Sequence, residues 1–219
     1  MVGLTIIVPT VGRDSLELTL ESIGMQTGPE DRICVVLDSE RSNPEIWGLV
    51  HEMGGECEGT WRYIWVGHGA PLGAYGHGAR NFRLDLTPRE PDQWFVSIDD
   101  DDAFLPGAFD AMREEIWKYP QGDRWFVFSM TGGANSHFSG TKVPVMGNEI
   151  RPGNVGTPCI VWPASAKARW GTGFADENEV SSPRELNRGY FGDYEFARDL
   201  QAELGDPVWV DHVVAEIRP

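Results

Sequence analysis

Residues Asp99 to Asp102 are four consecutive aspartates in the stretch WFVSIDDDDAFLP. Adjacent carboxylates repel by about 1 kcal/mol per close pair in water, and by more where water is excluded. A divalent cation would offset that repulsion, and hard carboxylate oxygens suit Mg2+ or Mn2+. The plainer alternative is an acidic loop capping a helix that starts near Pro106, because Asp is favoured at helix N-termini. One aspartate suffices for a cap, so four in a row point to the metal.

Other residues carry weaker signals. The turn VGHGAPLGAYGHGARN lets backbone approach a ligand closely, and Arg80 adds a fork of donors suited to a diphosphate. The turn lacks the third glycine of a dinucleotide fingerprint and the Lys-Ser/Thr of a P-loop, so the signal alone is weak and a flexible turn stands beside it as the alternative. Arg13 follows Pro9 and Thr10 in VPTVGRDS and either holds an anion or lies on the surface beside a helix start. Asp38 ends CVVLD as a second acid at a strand's end, or as an ordinary turn residue. Asp193 and Glu195 stand near a helix start among aromatics, where apolar surroundings raise a carboxylate's pKa toward general-base range. Ordinary N-terminal helix charge explains that pair equally well. His212 in WVDHVV is a core or edge histidine, or a metal ligand.

The elements that must position these groups follow from periodicity. LTIIV, RICVVL, WRYIWV, WFVSI and RWFVFSM read as short strands, apolar on both faces. DSLELTLESIGM, PEIWGLVHEM, ARNFRLDL and GAFDAMREEIWKY alternate with them at helical spacing, the first with Asp14 or Ser15 available as a cap. Strands and helices in alternation predict a mostly parallel α/β sheet covered on both sides, with ligands beyond the carboxyl ends of the strands. The second half is less regular. Residues 131–156 read as loops with a short strand at VPVM, PCIVWP as a strand, YFGDYEFARDLQAEL as a helix and PVWVDHVVAEI as a last extended segment.

The bulk properties bound the partners. A chain of 219 residues, 41% hydrophobic, suits one domain. The formal net charge of -16 argues against a broad nucleic-acid-binding face and against docking on anionic membrane. Three widely spaced cysteines with no CxxC indicate a reducing compartment. With no secretory signal and no run of 18 apolar residues, the expectation is a cytoplasmic protein without a membrane span.

In their order, these pieces resemble the GT-A glycosyltransferases, family 2 in particular. The matching stretches are IIVPTVGRDSLELTLESI, VVLD, GHGARN, VSIDDDDAFLP and GDYEFARDL. The last departs from the family's usual Glu-Asp by having Gly192 before Asp193. The resemblance implies a single GT-A (Rossmann-like) domain over 1–219. Residues 1–110 would form its nucleotide-sugar-binding half, and 111–219 an irregular acceptor-side half with the catalytic base. It implies that Pro9, Thr10, Arg13 and Asp38 surround the base and ribose, and that Arg80 approaches the base or diphosphate. Asp99 would lie near the ribose or metal and Asp101 would be the principal metal ligand, with Asp100 and Asp102 as alternatives in register. Asp193 would be the catalytic base, and His212 a C-terminal metal ligand.

The implied activity is metal-dependent, inverting transfer of a sugar from a nucleotide sugar, UDP-linked in expectation, to a hydroxyl of a saccharide, protein or small molecule. The ion would be Mn2+ or Mg2+. Three rivals stand beside it. A nucleotidyltransferase would carry a Gly-rich, basic signature after the first strand, where PTVGRDS has one Gly and one Arg. An NAD-binding oxidoreductase would need the missing third glycine. A non-catalytic nucleotide-sugar or divalent-ion binding module would bind without turnover.

Overall fold

The computed structural model describes residues 2–38, 48, 63–67, 77–86, 90, 92–119, 121–133, 140–144, 149–151, 154–170 and 192–218. Most of the expected second helix, at PEIWGLVHEM, lies outside them. Strand β1 (Gly3–Thr10) is buried at every position. It is flanked on both edges, by β2 (Arg32–Leu37) and by β4 (Gln93–Ser97), and both pairings are parallel. A central strand covered on both faces has no use for alternating polar residues, which is why LTIIV reads as a continuous apolar run. β3 (Tyr63–Gly67) extends the parallel set beyond β2.

Among the described residues the order continues from β3-β2-β1-β4 through β8 (Ile160–Pro163), β6 (Phe126–Gly132) and β9 (Val208–Ile217) to β5 (Ala103–Phe104), with β7 (Lys142–Val143) pairing β6. β6 and β9 run parallel to each other. β8 is wedged antiparallel between β4 and β6. β5 and β7 make short antiparallel pairs at the far end. Parallel pairing thus dominates, as the alternation of strands and helices predicts. The antiparallel strands β7 and β8 belong to the second half, where that alternation lapses, and β5 is the short exception before it.

Helix α1 (Leu16–Gly24) buries Leu16, Leu20 and Ile23, three residues at the spacing of one helical face. Neither Asp14 nor Ser15 supplies a side-chain cap; Ser15 is the N-cap residue and its backbone is already helical. Helix α2 (His77–Leu86) carries Arg80, and α3 (Ala108–Trp117) follows the aspartates. The N-cap of α3 is Gly107 in the left-handed region (φ 84°), again without a side-chain hydrogen bond. The aspartates therefore do not cap α3, and the plainer explanation for them falls away. Helix α4 (Gly192–Leu204) packs Phe196 against Trp162 and Trp170, at ring distances of 5.0 and 3.8 Å. Among the described residues no helix is long and apolar enough to cross a membrane.

Candidate active site

The aspartates begin where the β4 ladder stops. Ile98 N–H still donates to Ile7 O of β1 at 3.1 Å, so Asp99 is the first residue past the pairing. Asp102 N–H then donates back to Asp99 O at 3.2 Å. The four carboxylates thus form one tight turn, and Asp is well suited to its first position. The turn and the strand after it are anchored by α1 and by the end of β9. Thr19 Oγ1 of α1 donates to Asp102 O at 2.7 Å, Ser22 Oγ accepts from Phe104 N–H at 3.2 Å, and Arg218 N–H at the end of β9 donates to Asp102 Oδ1 at 3.0 Å.

Within the turn the side chains divide. Asp100 and Asp102 are buried. Asp99 and Asp101 keep 41% and 31% of their side-chain surface open. Asp100 accepts from Thr10 Oγ1 at 2.6 Å and from Arg13 at 3.0 Å, and Arg13 also pairs with Asp101. Arg80 pairs with Asp99. Burial pushes the Asp101 carboxyl up against the pull of Arg13, and Asp99 and Asp100 raise it further. Burial first, and the Asp99 charge second, push Asp102 up to about 8. Arg13 and Arg80 pair with the turn directly, and the charge of Arg218 also acts on Asp102, lowering it.

Thr10 Oγ1 also accepts from Gly12 N–H at 2.9 Å, and Asp38 N–H donates to Thr10 O at 2.7 Å. Pro9, Thr10, Arg13, Asp38 and the aspartate turn are thereby gathered at the carboxyl edge of β1, β2 and β4. Arg80 stands behind them. It is fully buried and reaches Asp99, so in this structure it offers a ligand no exposed surface.

On the other side of β4, a single 3-10 turn (Thr157–Cys159) leads into β8. Thr157 donates to Asp193 twice, from N–H at 3.0 Å and from Oγ1 at 2.5 Å, fixing both oxygens of that carboxylate at the first turn of α4. Burial pushes the adjacent Cys159 thiol up against the pull of a backbone hydrogen bond at Gly156, and the charges of Asp193 and Asp102 add to the shift. Glu195 is exposed.

His212 does not join this group. It is exposed and lies in the irregular stretch of β9 between Trp209, opposite Val127, and Val213, opposite Ser129. Six residues of strand, about 20 Å, separate it from Arg218 beside the aspartates.

Among the described residues no three His, Cys, Asp or Glu side chains form a ready-made metal cage. The donors present nevertheless fit an ion of the Mg2+ or Mn2+ kind. Such ions are held in enzymes by one or two carboxylates together with substrate phosphates, and Asp99 and Asp101 are two partly open carboxylates in an anionic turn.

No protein-family model matches the chain, and no curated protein matches it in sequence. Solved structures do match. S. aureus TarS aligns over 99% of this chain with a TM-score of 0.68 at 12% identity. The mannosyltransferase PcManGT from Pyrobaculum calidifontis, in complex with GDP-Man and Mn2+, aligns over 97% with a TM-score of 0.64 at 14% identity. This chain has a GT-A-like glycosyltransferase fold. A second TarS structure, in complex with UDP-GlcNAc, aligns over 98% with a TM-score of 0.63 at 14% identity. The GT-A-like chain spans 37% of TarS, 56% of PcManGT and 58% of the second TarS chain.

Two residues of the candidate site had no signal in the sequence. Thr157 sits in GTPCIVWP, which reads only as the approach to a strand. His77 reads as one more residue of a glycine-rich turn. Both act across the fold, on a helix more than thirty residues further along the chain.

Proposed function

We propose that this protein transfers a sugar from a nucleotide sugar, UDP-linked, to an acceptor hydroxyl with inversion at the anomeric carbon. The observation that carries the reading is the aspartate turn at the carboxyl edge of β4, flanked by Thr10, Arg13 and Asp38 on one side and by the Thr157–Asp193 pair on the other. The GT-A-like fold and the nucleotide sugars bound by proteins of that fold support it.

Pro9, Thr10 and Asp38 would receive the base and ribose. Arg13 is half exposed and keeps donors for an anion beyond those it gives to Asp100 and Asp101. A divalent cation held by Asp99 and Asp101 would neutralise the charge gathering on the departing diphosphate. The acceptor oxygen bonds to the anomeric carbon as the bond from that carbon to the diphosphate oxygen breaks. The electron pair leaves with the nucleoside diphosphate, and the acceptor proton passes to Asp193. Thr157 keeps that carboxylate aimed. One displacement inverts the centre, and no covalent intermediate is needed.

A screen of nucleotide sugars by thermal shift, with Mn2+ and with chelator, followed by product analysis, tests the reading. Asp101→Ala is expected to abolish transfer and to weaken Mn2+-dependent nucleotide binding. Asp193→Asn is expected to abolish transfer and spare binding. Full turnover in excess chelator defeats the metal assignment. Full turnover by Asp193→Asn defeats the base assignment and with it the inverting mechanism.

A further inference from the structure

Arg80 is engaged on three sides. Its Nε donates to Ser97 Oγ at 2.9 Å, one terminal nitrogen pairs with Asp99, and the other meets His77 Nδ1 at 3.0 Å. The guanidinium carbon lies 5.6 Å from the centroid of the Trp170 ring. A guanidinium can only donate, so Nδ1 of His77 accepts and the neutral imidazole carries its proton on Nε2. The far edge of that imidazole is pressed against α4. A Cβ built on Gly192 would overlap Nε2, Cδ2 and Cε1 of His77. Any side chain at residue 192 would have to displace the His77 ring.

The ring's other neighbours are also fixed. Trp170 lies parallel to His77 at 6.5 Å and stacks on Phe196 of α4 at 3.8 Å. The Asn81 side chain grips the Trp170 backbone at both polar atoms, accepting from N–H at 3.0 Å and donating to C=O at 2.8 Å. An unbroken run of contacts, Asp99–Arg80–His77–Gly192, therefore leads from the aspartate turn to the residue just before Asp193.

We propose that His77 is a positioning residue: wedged between Arg80 and Gly192, it ties the start of α4, and Asp193 with it, to the aspartate turn. This rests on the reading of Asp193 as the base and of Asp99 as part of the donor edge. It also accounts for Gly192, the residue at which the sequence departs from the Glu-Asp of the family it resembles. The space that a side chain at 192 would need is filled by the His77 ring of α2.

The test is a cycle of Gly192→Ala and His77→Asn, separately and together, in the whole chain. Asparagine keeps an acceptor for Arg80 near the place of Nδ1 and removes the rest of the ring. Gly192→Ala alone should lower kcat about a hundredfold while changing the Kd for UDP with Mn2+ less than about twofold. With His77→Asn in place the added methyl has room, and Gly192→Ala should then cost no more than about threefold. A purely structural contact would couple the two sites in thermal midpoint without separating kcat from Kd. Additive losses, or equal losses of turnover and nucleotide affinity, overturn the proposal.

A ligand-free arm separates this proposal from the functional reading. Asp99→Asn weakens the hold on Arg80 and should speed hydrogen exchange at the first hydrogen-bonded amides of α4 about fivefold, but not when His77→Asn is also present. Equal exchange in the two backgrounds overturns the coupling. Absence of any sugar-nucleotide turnover by the unmodified protein defeats the glycosyltransferase reading and leaves the exchange result to decide the coupling.

Discussion

Asp102 is buried, and its carboxyl is pushed well above the ordinary carboxylate range. Burial and the charge of Asp99 raise it to about 8, against 3.8 in the unfolded chain. Folding therefore takes up a proton at this group between those two values. Its favourable contribution is complete below about pH 4, is lost as the pH climbs to about 8 and is flat above that. Asp102→Asn, which cannot ionise, should flatten the fall of the thermal midpoint from pH 5 to 9 in chelator and give the more stable protein at the alkaline end. A curve parallel to that of the unmodified protein would show that the carboxyl is already ionised. Thr157 invites a second substitution. Thr157→Val removes the hydroxyl but keeps the backbone donor to Asp193, so it should cost about 1 kcal/mol of stability and about tenfold in kcat, with nucleotide affinity unchanged in equilibrium titration. The acids themselves could be found in the sequence because four in a row at a strand's end have few uses. Thr157, His77 and the full burial of Arg80 could not, since each depends on what a distant segment brings against it.

Elements were legible where one segment's own pattern decides its state. The runs of β1, β2, β4 and β6 are apolar because both faces of these strands are covered, and periodicity reports that directly. β5 is two residues long and has no periodicity to read; it exists because Ala103 and Phe104 meet Glu216 and Ala215 of β9. The antiparallel run of β8 was equally invisible, because strand direction is a property of the connection and not of IVWP. Helix boundaries were less secure than helices: α1 and α3 both begin without the side-chain caps that their sequences offer. A buried acid does the joining elsewhere. Asp31 accepts from Leu4 N–H at 2.8 Å and from Gly28 N–H at 2.7 Å and pairs with Arg113 of α3, fastening the start of β1 to the next layer. Asp31→Ala would orphan two amides and should destabilise by about 2–4 kcal/mol, lowering the thermal midpoint by roughly 5–15 °C. A loss under about 1 kcal/mol would mean that water replaces the carboxylate at little cost.

At the scale of the whole molecule, net charge and site charge pull in different directions. A formal charge of -16 repels an incoming diphosphate at long range, while Arg13 and any bound cation attract it at short range. It also strains the folded state through self-repulsion. Raising monovalent salt from about 10 to about 150 mM shortens the screening length from about 30 Å to about 8 Å and should raise the thermal midpoint by a few degrees at pH 8. A midpoint that falls with salt would show that local ion pairs such as Arg13–Asp100 outweigh the net repulsion.

The bond from Arg218 N–H to Asp102 sets the last described residue of the chain directly beside the acidic turn. A segment attached beyond Arg218 therefore leaves the fold beside the carboxylates whose metal affinity is in question. A hexahistidine tail placed there would bring its own imidazoles to that edge and would counterfeit a manganese requirement. Gly3 begins β1 at the opposite end of the strand, roughly 25 Å away. The purification handle belongs there.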